Sequence, residues 1–150
     1  MKEPKIGFLR SFPKWMVPKK LYNVACLEHF FEHNLRYGKD FAFQDTPDGI
    51  KFYHGLSLTV SSKARGMGIG KELIERTNAM AKELGCSHVY IAASSIYSQA
   101  IFKKCNFEVL SEAKYEDAQY KDGTALLTDT REHKSAQVVR FDLSNLSLSD

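Results

Sequence analysis

The sequence predicts a single α/β domain in which a mixed sheet with central parallel strands is flanked by helices. Its 150 residues are the length of one domain, so we expect 1–150 to be one unit. The central half alternates strand-like and helix-like patterns, which implies a parallel pair of strands joined by a right-handed crossover. A turn, Lys121-Asp122-Gly123, separates two further β-rich segments, which predict antiparallel strands at the C-terminal end.

The N-terminal third predicts one helix between weaker strand signals. Residues 6–9 form a short apolar run that ends at Ser-Phe-Pro, which is typical of a short strand. Residues 19–37 carry apolar side chains at helical spacing, and Gly38 follows as a stop. The turn cluster 44–49 lies between two aromatic-rich segments, 41–43 and 52–53, and therefore predicts a hairpin.

The centre and the C-terminal half predict the sheet and two crossing helices. Leu56, Leu58 and Val60 alternate as in a strand. The segment 71–84 predicts a helix that Gly85 ends, with one face made of Leu73, Ile74, Thr77, Ala81 and Leu84. A buried strand is predicted over 88–93, and Ser94 or Ser95 should cap a second helix, 96–105. The last predicted strands are 107–115 and 137–143.

Composition and charge exclude several classes of protein. Charged residues make up 26% and apolar residues 43% of the chain, which argues against disorder. No apolar run approaches the ~18 residues of a membrane helix, and the first residues do not resemble a signal peptide. Residues 1–40 hold eight Lys/Arg against four Asp/Glu, but these are scattered, so we expect no nucleic-acid partner and no membrane partner.

The three cysteines are widely spaced and form no CxxC motif, which favours neither disulfides nor zinc. The histidine pair His29 and His33 has helical spacing, yet it has no third ligand and no HExxH glutamate. We therefore expect no metal, and we expect the reducing cytoplasm to be the compartment of the protein.

A glycine-rich loop follows the strand predicted over 56–60 and leads into the helix predicted over 71–84. Its residues are Arg65, Gly66, Met67, Gly68, Ile69, Gly70 and Lys71. The first turn of a helix offers unpaired N–H groups and the positive end of the helix dipole, and glycine lets the backbone approach a phosphate. The alternative is a flexible connection, but the strand–loop–helix context favours a phosphate-binding loop.

The spacing of the loop excludes two common nucleotide sites. Three residues separate Gly66 from Gly70-Lys71, where a P-loop has four, and Glu72 replaces the metal-binding hydroxyl. A dinucleotide-binding loop would need glycine at Lys71, and the following strand ends without an acid to hold a ribose.

Arg65, Gly68 and Gly70 match the Gln/Arg-x-x-Gly-x-Gly/Ala motif, so the chain resembles the GNAT superfamily of N-acetyltransferases. The resemblance implies a GNAT-type mixed sheet and acetyl-CoA as co-substrate. It also implies that Leu58, Thr59 and Val60 bind the pantetheine arm by splaying away from the next strand. The similarity covers roughly residues 50–143 and extends through the second helix to Asn106-Phe107.

A narrower resemblance comes from Ser94-Ser95-Ile96-Tyr97-Ser98, which is similar to the Ser-Ser-x-Tyr-Ser stretch of invertebrate arylalkylamine N-acetyltransferases. Tyr115-Glu-Asp, Asp122-Gly123 and Glu132-His133-Lys134 also resemble that branch. The resemblance implies that a small amine is the acceptor. It also points to Ser94 and Ser98 as the catalytic residues.

Two departures from the superfamily bear on catalysis. Phe102 stands where many members have the tyrosine that protonates the CoA thiolate. About fifty-five residues precede the cofactor motif, so we expect the chain to be shortened at its N-terminus. The invertebrate enzymes carry a catalytic glutamate in a Glu-Pro segment, and Glu3-Pro4 has too few residues before it to be placed by a helix.

Ser94 and Ser98 are four residues apart, so a helical start would place both hydroxyls on one face, where they could relay protons. The alternative is that Ser94 or Ser95 is only a helix cap and Ser98 a first-turn residue. Cys105 is expected to be a small core residue and not a nucleophile.

The sequence as a whole favours acetyl transfer from acetyl-CoA to the primary amine of a small arylalkylamine by direct attack. Two alternatives stay open at this point: a non-catalytic acetyl-CoA-binding module, and a protein or peptide N-acetyltransferase. The oligomeric state and the identity of the acceptor cannot be deduced from the sequence.

Overall fold

The computed structural model describes residues 26–27, 30–31, 34–35, 50–119 and 123–146. Within them, four strands form one sheet in the order β1-β2-β4-β3. The strands are β1 Lys51–Gly55, β2 Cys86–Ala93, β3 Glu108–Lys114 and β4 Ser135–Asp142. β1 and β2 are parallel, whereas β4 is antiparallel to both of its neighbours. The predicted α/β mixed sheet with a parallel pair is confirmed, and among the described strands this pair stands at one end of the order.

Two helices connect the strands as the sequence predicts. Helix α1, Ile69–Glu83, joins β1 to β2, and helix α2, Ile96–Lys104, joins β2 to β3. Gly85 ends α1 in the left-handed conformation that glycine adopts easily, with a φ of 75°. Cys105 and the left-handed Asn106 end α2.

The face that α1 buries differs in part from the predicted one. Ile74 and Ala81 are buried as expected, but Leu73 and Leu84 are 41% and 57% exposed. The buried positions on α1 begin with Gly70 and include Asn78. A Cβ at Gly70 would lie 2.7 Å from Ile101 Cδ1, so the close approach of α2 to Gly70 sets which side of α1 faces inward.

The strand predicted over 56–60 is wrong in position. The hydrogen-bonded strand is β1, five residues earlier, and it pairs with β2 from Lys51 to Gly55. Leu56 is 87% exposed, and residues 56–60 join no strand of the described sheet. The alternation of Leu56, Leu58 and Val60 is real, but hydrogen bonding to a neighbour decides where a strand lies, and pairing of this segment with β2 ends at Gly55 and Ile91.

The two faces of the sheet carry separate apolar cores. Residues of β2 alternate between them, so Val89, Ile91 and Ala93 pack with both helices. Ala92 lies on the opposite side with Cys26, Phe30, Tyr115 and other residues of the second core. Residues 26, 27, 30 and 31 are helical, in agreement with the helix predicted over 19–37. The strand predicted at 6–9, Glu3-Pro4 and residues 41–43 of the predicted hairpin lie outside the described residues.

Candidate active site

β1 and β2 separate at their carboxyl ends. Gly55 is the last residue of β1 and pairs with Ile91, while β2 continues to Ala93. The predicted pantetheine-binding residues Leu58, Thr59 and Val60 lie on the segment that leaves the sheet. Diverging strand ends create a crevice of the kind in which open α/β sheets bind ligands. The geometry therefore agrees with the splayed strand that the resemblance implies.

The loop from Arg65 to Lys71 leads from this segment into α1. Gly68 is the residue before the helix and has a φ of 77°, and no side chain caps the helix there. The N–H of Glu72 donates to the Gly68 carbonyl over 3.1 Å, which closes the first turn. The N–H groups of Ile69, Gly70 and Lys71 have no acceptor one turn earlier within the helix, so they are suited to receive an anion.

The glycines of the loop serve two purposes. A Cβ added at Gly66 or Gly68 would meet no heavy atom within 4 Å, so packing does not require glycine at either position. Their left-handed φ values of 80° and 77° do favour glycine, and the open space leaves the backbone accessible. Gly70, also predicted to bind the cofactor, is buried against Ile101, so helix packing accounts for it.

The other predicted loop residues lie at the surface. Met67 is 72% exposed, Ile69 is 38% exposed and Arg65 is exposed, so all three are accessible to a ligand. Lys71 forms an exposed ion pair with Glu75 at 3.4 Å. Two cations thus flank the open helix terminus, which favours a phosphate group there.

A cavity of about 300 Å³ lies beside the diverging segment, on the face that carries both helices. Its lining includes Gly55–Leu58, Ile74, Asn78, Ile91 and Phe102. We call it the cofactor-side cavity. Phe102 is buried and packs against Phe107 in a tilted arrangement, with ring centroids 4.9 Å apart. The aromatic ring is therefore placed at this cavity without the hydroxyl that many superfamily members have.

The second strand–helix junction, between β2 and α2, is closed by its own side chains. Ser95 caps α2, and its Oγ accepts from the Ser98 N–H over 3.1 Å. In return, Ser98 Oγ accepts from the Ser95 N–H over 3.1 Å, and its hydroxyl lies 2.9 Å from the Ser95 carbonyl. This reciprocal arrangement is a capping box. The Ser98 hydroxyl is therefore hydrogen bonded to the backbone of Ser95 and stabilises the start of the helix.

Ser94 lies outside α2, so the prediction that the hydroxyls of Ser94 and Ser98 share one helical face is wrong. The helix begins two residues later, at Ile96, and helical spacing does not apply before the cap. The Ser94 carbonyl instead accepts from the Tyr115 hydroxyl over 2.6 Å. Burial raises the pKa of Tyr115 to about 12, so the phenol remains a donor near neutral pH.

Ser94 lines a second cavity, of about 430 Å³, on the opposite side of the sheet from both helices. We call it the acceptor-side cavity. Its remaining lining residues are mostly apolar or small and polar: Cys26, Leu27, Tyr115, Leu126, Leu127, Thr128, Asp129, Thr130, Arg131 and His133. A concave site that offers both apolar and polar side chains can bind a small molecule that has both an apolar and a polar part.

The sequence did not single out His133 as a site residue. His133 Nδ1 accepts from the Ile96 N–H over 3.4 Å, and its ring lies edge-on to Tyr97 at 5.8 Å. Its other ring nitrogen, Nε2, is 4.0 Å from Glu132. Metal-ligand spacing could not reveal His133, because its contacts with Ile96 and Tyr97 cross more than thirty residues of sequence. The match of Glu132-His133-Lys134 to the arylalkylamine branch was the signal that could have found it.

Cys105 lies in the core at the end of α2, as predicted. Burial, followed by the charge of Glu75, raises the pKa of its thiol and makes it a poor nucleophile. Among the described residues, no cluster of three or more His, Cys, Asp or Glu side chains could hold a metal. None of the described helices has the length and apolarity that crossing a membrane would need.

A model of the acetyltransferase (GNAT) family matches residues 24–107, which is more than half of the chain. The chain therefore belongs to this family, and the predicted GNAT-type fold is confirmed. Membership brings with it the family's general donor, acetyl-CoA. The open helix terminus, the unobstructed glycines and the splayed strand fit this co-substrate.

Solved structures of amine acetyltransferases share the fold. The chain is 19% identical to an agmatine N-acetyltransferase mutant in its apo form, with a TM-score of 0.66 over 86% of this chain and 60% of that one. For arylalkylamine N-acetyltransferase 2 from Aedes aegypti, the identity is 21% and the TM-score 0.64, over 85% and 62%. For a polyamine N-acetyltransferase from Drosophila melanogaster, the values are 19% and 0.63, over 80% and 55%.

The chain thus spans less than two thirds of the length of each of these relatives. No curated protein sequence matches it.

Proposed function

We propose that the protein transfers an acetyl group from acetyl-CoA to the primary amine of a small arylalkylamine, by direct attack in a ternary complex. One observation carries the proposal: the two cavities lie on opposite faces of the sheet, the cofactor-side cavity at the carboxyl end of β1 and the acceptor-side cavity at the carboxyl end of β2. Such an arrangement lets donor and acceptor enter from different sides and meet between the strands. Holding two reactants together supplies much of the rate of a two-substrate reaction.

The donor would be held by the β1–α1 junction. Its pyrophosphate would bind the first-turn N–H groups of α1 and Arg65, while Leu58, Thr59 and Val60 would bind the pantetheine arm along their free backbone edge. A backbone N–H near Val60 would stabilise the developing oxyanion, which requires no particular side chain. The thioester supplies the activated acetyl group, so no covalent nucleophile is needed.

The acceptor-side cavity favours an arylalkylamine. Tyr115, Leu126 and Leu127 offer an aromatic and aliphatic surface for the ring, while Ser94, Asp129 and His133 offer polar groups for the amine. The solved structures that share the fold belong to proteins named as arylalkylamine, agmatine and polyamine N-acetyltransferases. Asp129 is an anionic lining residue suited to the ammonium form in which an alkylamine arrives.

The amine must lose a proton before it can attack. At neutral pH only about one alkylamine molecule in a thousand is uncharged. His133 lines the acceptor-side cavity, and we assign it the role of the base. Its Nδ1 would give up the long hydrogen bond from the Ile96 N–H, which spans 3.4 Å, in order to accept the proton. Ser94 lines the acceptor-side cavity and Ser98 does not, so Ser94 would be the nearer of the two predicted serines to the acceptor. We expect turnover to be weak and to rise with pH.

A second candidate function is a non-catalytic acetyl-CoA-binding module. Two observations favour it: Phe102 has no hydroxyl to protonate a thiolate, and the Ser98 hydroxyl is already hydrogen bonded within the capping box. Acetylation of a protein or peptide amine is the remaining alternative, and it requires the acceptor-side cavity to admit a lysine side chain.

Radiolabelled acetyl-CoA with a panel of amines distinguishes these functions. We expect transfer to phenylethylamine and tryptamine that exceeds transfer to agmatine and to a lysine-containing peptide. His133→Ala should reduce turnover, whereas Glu108→Ala, which changes an exposed residue outside both cavities, should not. CoA binding without transfer to any amine would support the module. Preference for the peptide would overturn the arylalkylamine assignment.

A further inference from the structure

One wall of the acceptor-side cavity is a segment outside the sheet, residues 128–133, which we call the wall segment. Asp129 and Arg131 in this segment have φ values of 58° and 52°. Residues with a side chain disfavour this left-handed conformation. An internal hydrogen bond joins the His133 N–H to the Thr130 carbonyl at 3.0 Å. Because two residues adopt disfavoured conformations, contacts from elsewhere must help to hold the segment.

The first turn of α2 supplies such contacts. The Tyr97 hydroxyl donates to Glu132 Oε1 over 3.0 Å, and the Tyr97 ring lies edge-on to His133. The Ile96 N–H donates to His133 Nδ1. Three contacts of different kinds therefore join the same two short segments. The Tyr97–Glu132 hydrogen bond is the one whose loss can be tested without removing a ring or a backbone group.

The charge states of Tyr97 and Glu132 favour the hydrogen bond between them. The hydrogen bond to Glu132 raises the pKa of Tyr97, which keeps the phenol protonated. The pKa of Glu132 is lowered, first by its own backbone N–H and then by the Tyr97 hydroxyl, which keeps it ionised. A neutral donor therefore faces an anionic acceptor throughout the neutral range, and such a bond is stronger than one between neutral groups. Exposure to water keeps its contribution modest.

We propose that Tyr97 and Glu132 are positioning residues for the amine acceptor. By holding the wall segment against α2, they keep Asp129 and His133 in their places along the cavity. This inference rests on the proposed function, because it assigns the acceptor to this cavity. Arg65, in the glycine-rich loop, is close enough to Tyr97 for its positive charge to act on the pKa of the phenol. Because the phenol is neutral, it forms no ion pair with Arg65. Loss of the hydroxyl should therefore leave acetyl-CoA binding unchanged.

Steady-state kinetics of three variants, with each substrate varied in turn, test the proposal. Tyr97→Phe and Glu132→Ala both lose the hydrogen bond, and we expect the KM for the amine to rise about three- to fivefold. Glu132→Gln keeps an acceptor oxygen for Tyr97, so its KM should stay within about twofold of the parent value. The KM for acetyl-CoA should not change in any variant. Glu108→Ala, which removes a carboxylate bonded to Arg140 at 2.6 Å, is the matched control.

Hydrogen exchange of the His133 backbone N–H provides a readout that does not depend on turnover. We expect faster exchange in Tyr97→Phe and Glu132→Ala, but not in Glu132→Gln or Glu108→Ala. An equal rise in both KM values, or a Glu132→Gln variant that behaves like Glu132→Ala, would overturn the positioning role. If the parent protein acetylates no amine, the proposed function fails, whereas unchanged exchange in Tyr97→Phe refutes the contact itself.

Discussion

The two strand–helix junctions each follow one of the two parallel strands, β1 and β2. They differ in whether a side chain caps the N–H groups at the start of the helix. α1 starts at Gly68 with no side-chain cap, and the N–H groups of its first turn remain available. α2 starts at Ser95 with a capping box, and His133 accepts the N–H of Ile96. The N–H groups at a helix terminus are available to a ligand only when the side chains of the protein do not already accept their hydrogen bonds. Under the proposed function, the open terminus would bind the donor and the closed one would border the acceptor-side cavity.

The largest expected effect comes from placing a side chain at the open terminus. Asparagine tolerates a left-handed φ, so Gly68→Asn should fold and place its Cβ where the pyrophosphate is expected. We expect at least about a tenfold loss of CoA affinity by calorimetry, equivalent to about 1.4 kcal/mol. Gly85→Asn is the matched control, because Gly85 ends the same helix with a φ of 75° and open space. Equal affinities in the two variants would show that the loop does not bind CoA.

Gly70→Ala tests whether packing, and not ligand binding, fixes this glycine. The new Cβ would lie 2.7 Å from Ile101 Cδ1, and overpacking costs about 1–3 kcal/mol, offset by about 1 kcal/mol of helix propensity. We expect a net loss of about 1 kcal/mol in chemical denaturation. Ile101→Val removes Cδ1, so the double variant should recover most of this loss. If the double variant is no more stable than Gly70→Ala, the contact with Ile101 is not what requires glycine at this position.

At the closed terminus, Ser95→Ala removes the cap itself and should cost about 1 kcal/mol of stability. Ser98→Ala removes the reciprocal bond, so we expect a smaller loss of stability. We also expect a several-fold loss of turnover, because a looser first turn of α2 would hold His133 less firmly through the Ile96 N–H. Ser98→Thr keeps a hydroxyl and should retain turnover. Thermal denaturation and the acetyl-transfer assay measure the two effects separately. A Ser98→Ala variant with the turnover of the parent would show that Ser98 acts only as part of the capping box.

The smallest expected effect concerns Cys105. Because burial raises the pKa of its thiol above the usual 9.0, the unfolded chain ionises first as the pH rises. The stabilising contribution of the neutral thiol is therefore complete below that value and is lost as the pH rises through the folded pKa. Alkylation of Cys105 should be slow in the native protein and fast after unfolding, and Cys105→Ala should change mainly stability. Rapid native alkylation, or a loss of turnover in Cys105→Ala, would contradict a purely structural role.

The sequence predicts the first junction better than the second. Glycines, a preceding arginine and an amphipathic helix are local signals, so the cofactor loop could be located within a few residues. Ser95 and Ser98 also form a local motif, but the contacts of Ser94 with Tyr115 and of Ile96 with His133 join residues 21 and 37 positions apart. The end of β1 was misplaced for a similar reason, because it depends on pairing with β2. Long-range contacts, and not local propensity, therefore decide the acceptor side.

The most direct test of the central claim is a nuclear magnetic resonance titration of the nitrogen-15-labelled protein with CoA. We expect the largest amide shifts at Ile69, Gly70 and Lys71, in the uncapped first turn of α1. The amides of Ile96, Tyr97 and Ser98, in the first turn of α2, should shift much less. Shifts concentrated in α2, or no shift in α1 at saturating CoA, would contradict the assignment of the donor to the open terminus.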